Sequence, residues 1–123
     1  MKEILILSLL ALSTACGSGN EEEEEELPPV VDCAAAQPIP TFAEVQAFQA
    51  ICTNCHSSSK ADTARNGAPA DINFDQYSSA FSHAEEAAIE VNVGAMPPAF
   101  SLLTLTPVQK TTLFNWAMCG APQ

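Results

Sequence analysis

Five consecutive residues, Cys52-Thr53-Asn54-Cys55-His56, carry the most chemistry in this sequence. Two thiols three positions apart, followed at once by an imidazole, admit three uses. A Cys-x-x-Cys pair can cycle between dithiol and disulfide when one thiol has a depressed pKa. It can be half of a tetrahedral zinc site, which then needs two more Cys or His ligands. Or the thiols can add to the two vinyl groups of haem from one side, bringing the adjacent histidine under the iron. A thioredoxin-like pair belongs with strands and a βαβ unit, and no segment here alternates as a strand. The zinc site lacks its second half, since His83 is the only other histidine. One covalent haem c, bonded to Cys52 and Cys55 with His56 as an axial ligand, is the expectation.

Three helices must position this motif. Thr41-Phe42-Ala43-Glu44 is a capping box, and Phe42, Val45, Phe48, Ile51 and Cys52 then recur at helical spacing. A helix is expected from about 42 to about 54, with the thiols at its end. Gly67 to Ile72 reads as loop, and Asp75 or Ser78 can open a short helix. Ser82-His83-Ala84-Glu85 is a second capping box, with Ala84, Ala87, Ala88 and Val91 on one side and Gly94 as the stop. Thr106 caps the last helix, Pro107 occupies its first turn, and Gln109 completes a third box. Leu113, Trp116 and Ala117 form its apolar face, and Gly120 and Pro122 end it. The fold class is all-α, without repeats.

Past the middle of the chain stands Gly94-Ala95-Met96-Pro97-Pro98. With CxxCH at the end of a first helix and a well-capped last helix, the chain resembles the class I cytochrome c family from Thr41 to Gly120. That resemblance implies a cytochrome c-like fold, its N- and C-terminal helices crossing around a covalently bound haem. It also implies Met96 as the second axial ligand, with the prolines holding the backbone extended so that the thioether points at the iron. By the same resemblance the carbonyl of Pro69, 13 residues after His56, accepts the ligand histidine's other N–H. His83 is the rival ligand, but Glu85 and Glu86 beside it suggest a solvent face. Phe48 and Trp116 are expected to meet where the first and last helices cross, as packing residues.

The chain begins with a processing signal. Ile4 to Leu12 is an apolar run of nine residues, too short for a bilayer span of about 20 but suited to a secretory leader. Leu12-Ser13-Thr14-Ala15-Cys16 then resembles a bacterial lipobox, which implies cleavage after residue 15 and lipidation of Cys16. Residues 16–32 hold six consecutive glutamates and read as a flexible acidic tether, leaving 33–123 as the haem domain. The formal charge is −11 for the chain, but from Cys33 onward seven acids face three bases, leaving −4. Nothing clusters Lys and Arg as a nucleic-acid site requires.

Cys33 and Cys119 remain, at either end of the domain. In an oxidising compartment such a pair closes as a disulfide. The expected function is one-electron transfer by a His/Met-ligated haem, in an extracytoplasmic, membrane-anchored lipoprotein. It would act as a monomer and meet redox partners at the membrane. Two alternatives keep the haem and change its use: a gas or redox sensor with a dissociable Met96, and a small peroxidase-like subunit.

Overall fold

The structure is a computed structural model, and it describes residues 31–46 and 49–123. The leader, Cys16, the tether up to residue 30, and Phe48 lie outside the described residues. Within them the chain is helical, with no strand. The helices are α1 (Phe42–Gln46), α2 (Ala50–Thr53), α3 (Tyr77–Ser82), α4 (Ala84–Asn92) and α5 (Pro107–Met118). Single 3₁₀ turns occupy Asp62–Arg65 and Ala99–Ser101. None of these helices is long and apolar enough to cross a membrane.

Local chemistry sets the helix starts. At α5 the box is complete: Thr106 Oγ1 accepts from the Gln109 amide at 3.3 Å, and Gln109 Oε1 accepts from the Thr106 amide at 2.8 Å. At α1 only half forms. Glu44 Oε2 reaches back to the Thr41 amide at 2.7 Å, but the Thr41 hydroxyl donates to the same carboxylate instead of capping. Those bonds hold the exposed Glu44 carboxyl below its ordinary range, the Thr41 amide contributing most.

Two sequence expectations are revised here. The single helix expected over about 42–54 is described as two pieces, α1 and α2. The Gln49 amide donates to the Gln46 carbonyl, three residues back, and Gln49 stands at the start of α2. Ser82 is not the cap of α4. It is the last residue of α3, its hydroxyl turned back to the Ser78 carbonyl at 2.9 Å. His83 supplies the break between α3 and α4, without a side-chain cap.

The core gathers where α1, α4 and α5 meet. Val45 and Trp116 are fully buried, joined by Phe42, Ala84, Val91 and Leu113. Phe42 packs on Trp116 at 6.0 Å between centroids and edge-on to Tyr77 at 5.3 Å. The contact of the first helix with Trp116 is thus described through Phe42. The C-terminal tail closes this core with its carbonyls. Pro122 accepts from the Phe42 amide at 2.9 Å and from Trp116 Nε1 at 2.8 Å, and Ala121 accepts from the Tyr77 hydroxyl at 3.0 Å. Cys33 and Cys119 are bonded, with their Cα atoms 5.6 Å apart, so the segment before α1 is tied to the end of α5.

Candidate functional site

The CxxCH motif occupies the end of α2 and the turn after it. Helical backbone bonds run on through it: the His56 and Cys55 amides both donate to the Cys52 carbonyl, at 2.8 and 3.1 Å. This turn presents Cys52, Cys55 and His56 to one cavity of about 360 Å³. Its walls are largely apolar, with Ile51, Ile72, Phe74, Val91, Leu105 and Leu113 among them. A pocket of this size and lining is typical of a cofactor site.

Met96 lines the same cavity, although 40 residues separate it from His56 in the chain. Gly94 makes this return possible. Its φ of +79° turns the chain at the end of α4, and the Ala95 and Met96 amides then both donate to the Glu90 carbonyl, at 2.9 and 3.1 Å. Pro98 continues in extended backbone. The Met96 side chain sits at the rim, 38% exposed. His83 also lines the cavity and is not simply on a solvent face. Its Nδ1 lies 3.4 Å from Glu86 Oε2.

The thiols and the imidazole have distinct electrostatics. Cys52 and Cys55 are not bonded to each other. Burial pushes the Cys52 thiol up to about 11, opposite to the depressed pKa that a dithiol redox catalyst or a ready thiolate ligand needs. His56 is held below its ordinary value, first by burial. The Ile72 carbonyl acts in the other direction, and the charges of Arg65 and His83 add to the depression. The neutral ring is therefore favoured, the form that binds a metal. It packs edge-on to Phe74 at 5.3 Å, and its backbone carbonyl accepts from the Phe74 amide at 2.9 Å. Nδ1 is buried without a hydrogen-bond partner, which leaves Nε2 for a ligand in the cavity.

Pro69 lines the cavity, and its carbonyl accepts from Arg65 Nη2. Arg65 is a residue that motif and spacing did not single out. It is 4% exposed, and no carboxylate pairs with it among the described residues. Sequence offers no signal for it, because its partners are almost all backbone carbonyls. Asn66, which follows it in the left-handed region, places its amide 3.4 Å from Cys55 Sγ.

Among the described residues no three His, Cys, Asp or Glu side chains gather as a metal cage would require. The donors that do line the cavity are two thiols, the imidazoles of His56 and His83, and a thioether. Comparison with protein-family models, with curated proteins and with solved structures finds no match for this chain.

Proposed function

We propose that this chain binds one haem c covalently through Cys52 and Cys55 and transfers single electrons, with His56 and Met96 as the axial ligands. The observation that carries the proposal is the convergence of these four residues on one apolar cavity. Three features of the site fit the group. Cys52 is a protonated thiol, suited to addition to a vinyl group and not to redox cycling. Burial favours the neutral His56 ring, and one of its nitrogens is sealed from solvent. The walls are largely apolar, as a macrocycle's faces require.

When bound, the haem supplies a one-electron couple that no side chain here possesses. The chain's own residues hold and tune it. Cys52 and Cys55 would hold it covalently, His56 and Met96 would ligate its iron, and thioether ligation would favour a higher potential than a second imidazole. The acidic balance of the domain suits transient docking to basic partners, and a lipidated tether would keep the carrier beside membrane redox proteins. The fold proposed for this function is the cytochrome c-like arrangement.

A second reading is a haem-based sensor in which Met96 leaves the iron. The exposure of Met96 at the rim favours it. Absorption spectra of the full chain, matured with the c-type haem attachment machinery, distinguish the two. A covalent low-spin spectrum with a methionine–ferric charge-transfer band, unchanged when carbon monoxide is added to the reduced protein, is expected of the carrier. Ready carbon monoxide binding would favour the sensor, and a chain without covalent haem would refute both.

A further inference from the structure

Arg65 is a buried cation with no carboxylate partner among the described residues. Removing a guanidinium from water costs several kcal/mol unless its N–H groups are satisfied. Here they are. Nη1 donates to the carbonyls of Ser57 and Lys60 at 2.7 and 3.4 Å and to Asn73 Oδ1 at 3.0 Å. Nε donates to the Ala68 carbonyl at 3.2 Å, and Nη2 donates to the carbonyls of Pro69 and Ile72, the latter at 2.7 Å. An arginine has five N–H donors, so these acceptors use all of them. None is left for a carboxylate on a bound ligand. Arg65 is therefore not an anion-binding residue of the cavity.

Its acceptors show what it does instead. They lie on both limbs of the loop that runs from the CxxCH turn to Phe74. One of them, the Ser57 carbonyl, belongs to the residue next to His56, and another, the Ile72 carbonyl, lies just before Phe74. Phe74, two residues on, donates its amide to the His56 carbonyl and packs on the ring. The guanidinium thus draws the loop closed around the imidazole, and its charge, paired with no carboxylate among the described residues, stands in the wall of the same cavity.

We propose that Arg65 is the positioning residue of the His56 ligand: it fixes the loop that lays Phe74 on the imidazole and supplies a fixed positive charge in the wall of the cavity. The proposal rests on the haem reading above. A ring fixed by its surroundings presents Nε2 to a metal in one orientation. A permanent positive charge nearby favours the reduced state of a bound haem.

The test uses the full-length protein with haem attached, as wild type, Arg65→Met and Arg65→Lys. Two quantities are read: the midpoint potential, and deuterium exchange at the His56 ring N–H in the ferric protein. Arg65→Met is expected to lower the reduced-to-oxidised ratio at fixed potential by about tenfold, a fall of about 59 mV for a one-electron couple. It is also expected to speed ring N–H exchange. Arg65→Lys keeps the charge but not the fork, so its potential should return toward wild type while exchange stays fast. An Arg65→Met protein matching wild type in both quantities overturns the proposal, as does an Arg65→Lys potential no higher than that of Arg65→Met. Where Arg65→Met does not mature, the wild type decides with Arg65→Lys: resolved, slowly exchanging Arg65 guanidinium N–H resonances are expected, and solvent-averaged ones overturn it. A wild type that takes up no haem fails the parent reading, and that is seen before any variant is compared.

Discussion

Replacing Cys33 and Cys119 together by serine should cost this domain about 4.5 kcal/mol of stability. The figure follows from the 86-residue separation of the two cysteines, through the loop-closure entropy that the cross-link removes from the unfolded chain. A haem bonded at Cys52 and Cys55 closes a loop of only a few residues, so it does not duplicate this constraint. The folded state should change little. The tail remains tied by the Pro122 carbonyl to Phe42 and Trp116 and by the Ala121 carbonyl to Tyr77. The effect therefore lies in the unfolded ensemble, and this gives it a second signature. The cross-linked unfolded chain is more compact, so the double variant should show a steeper urea dependence as well as a lower free energy. Equilibrium urea unfolding monitored by circular dichroism measures both. At about 4–8 °C per kcal/mol for a domain of this size, thermal unfolding should fall by on the order of 20 °C. A loss under about 1 kcal/mol with an unchanged slope would refute the reasoning, because an 86-residue loop would then close at almost no entropic cost. Thiol titration of the denatured wild type checks the premise, since Cys33 and Cys119 should not react.

Trp116→Ala should cost about 3–5 kcal/mol in urea unfolding, since the ring is fully buried and its Nε1 holds the Pro122 carbonyl. Gly94→Ala should cost about 1–2 kcal/mol from backbone strain alone: φ is +79° and an added Cβ would meet nothing within 4 Å. The haem-free chain should lose stability on acidification in two steps. Burial, only partly offset by the Ile72 carbonyl, depresses the folded His56 pKa, so its contribution is whole above about 6.5 and is lost as pH falls through that value toward the folded pKa. At Asp75 burial acts to raise the pKa, but the Ser58 hydroxyl and amide outweigh it, and at Glu44 the Thr41 bonds act in the same sense, so the second step belongs to these two carboxylates and sets in only as pH falls through 4.5 and 3.8. Urea midpoints measured against pH should show both, and His56→Asn should remove the first step and spare the second.

What could be read from the sequence follows from how local each interaction is. The Thr106 box involves atoms three residues apart, and its residue types suffice to specify it. The return of Met96 to the motif's cavity is signalled by Gly94 and two prolines, again a local cause. Ser82 shows where such signals mislead. Ser-x-x-Glu is equally a cap and the end of a preceding helix, and a serine hydroxyl that finds the carbonyl four residues back is no longer free to cap. The break between α1 and α2 is less local still. Apolar spacing of 3.6 continues through residues 42–52 and cannot register that Gln49 is buried against the cavity with its amide turned to Gln46.

Arg65 marks the far limit. Five of its six acceptors are main-chain carbonyls, at 57, 60, 68, 69 and 72, a type of group that every residue carries. A carboxylate partner would have left a charge to pair with it by eye, whereas a carbonyl partner leaves no trace in residue type. Sequence motifs identify the groups that would bond to the haem, because that bonding depends on side-chain identity. The geometry that orients those groups is built from the backbone. In this chain Arg65, which binds five main-chain carbonyls, looks in sequence like any other base.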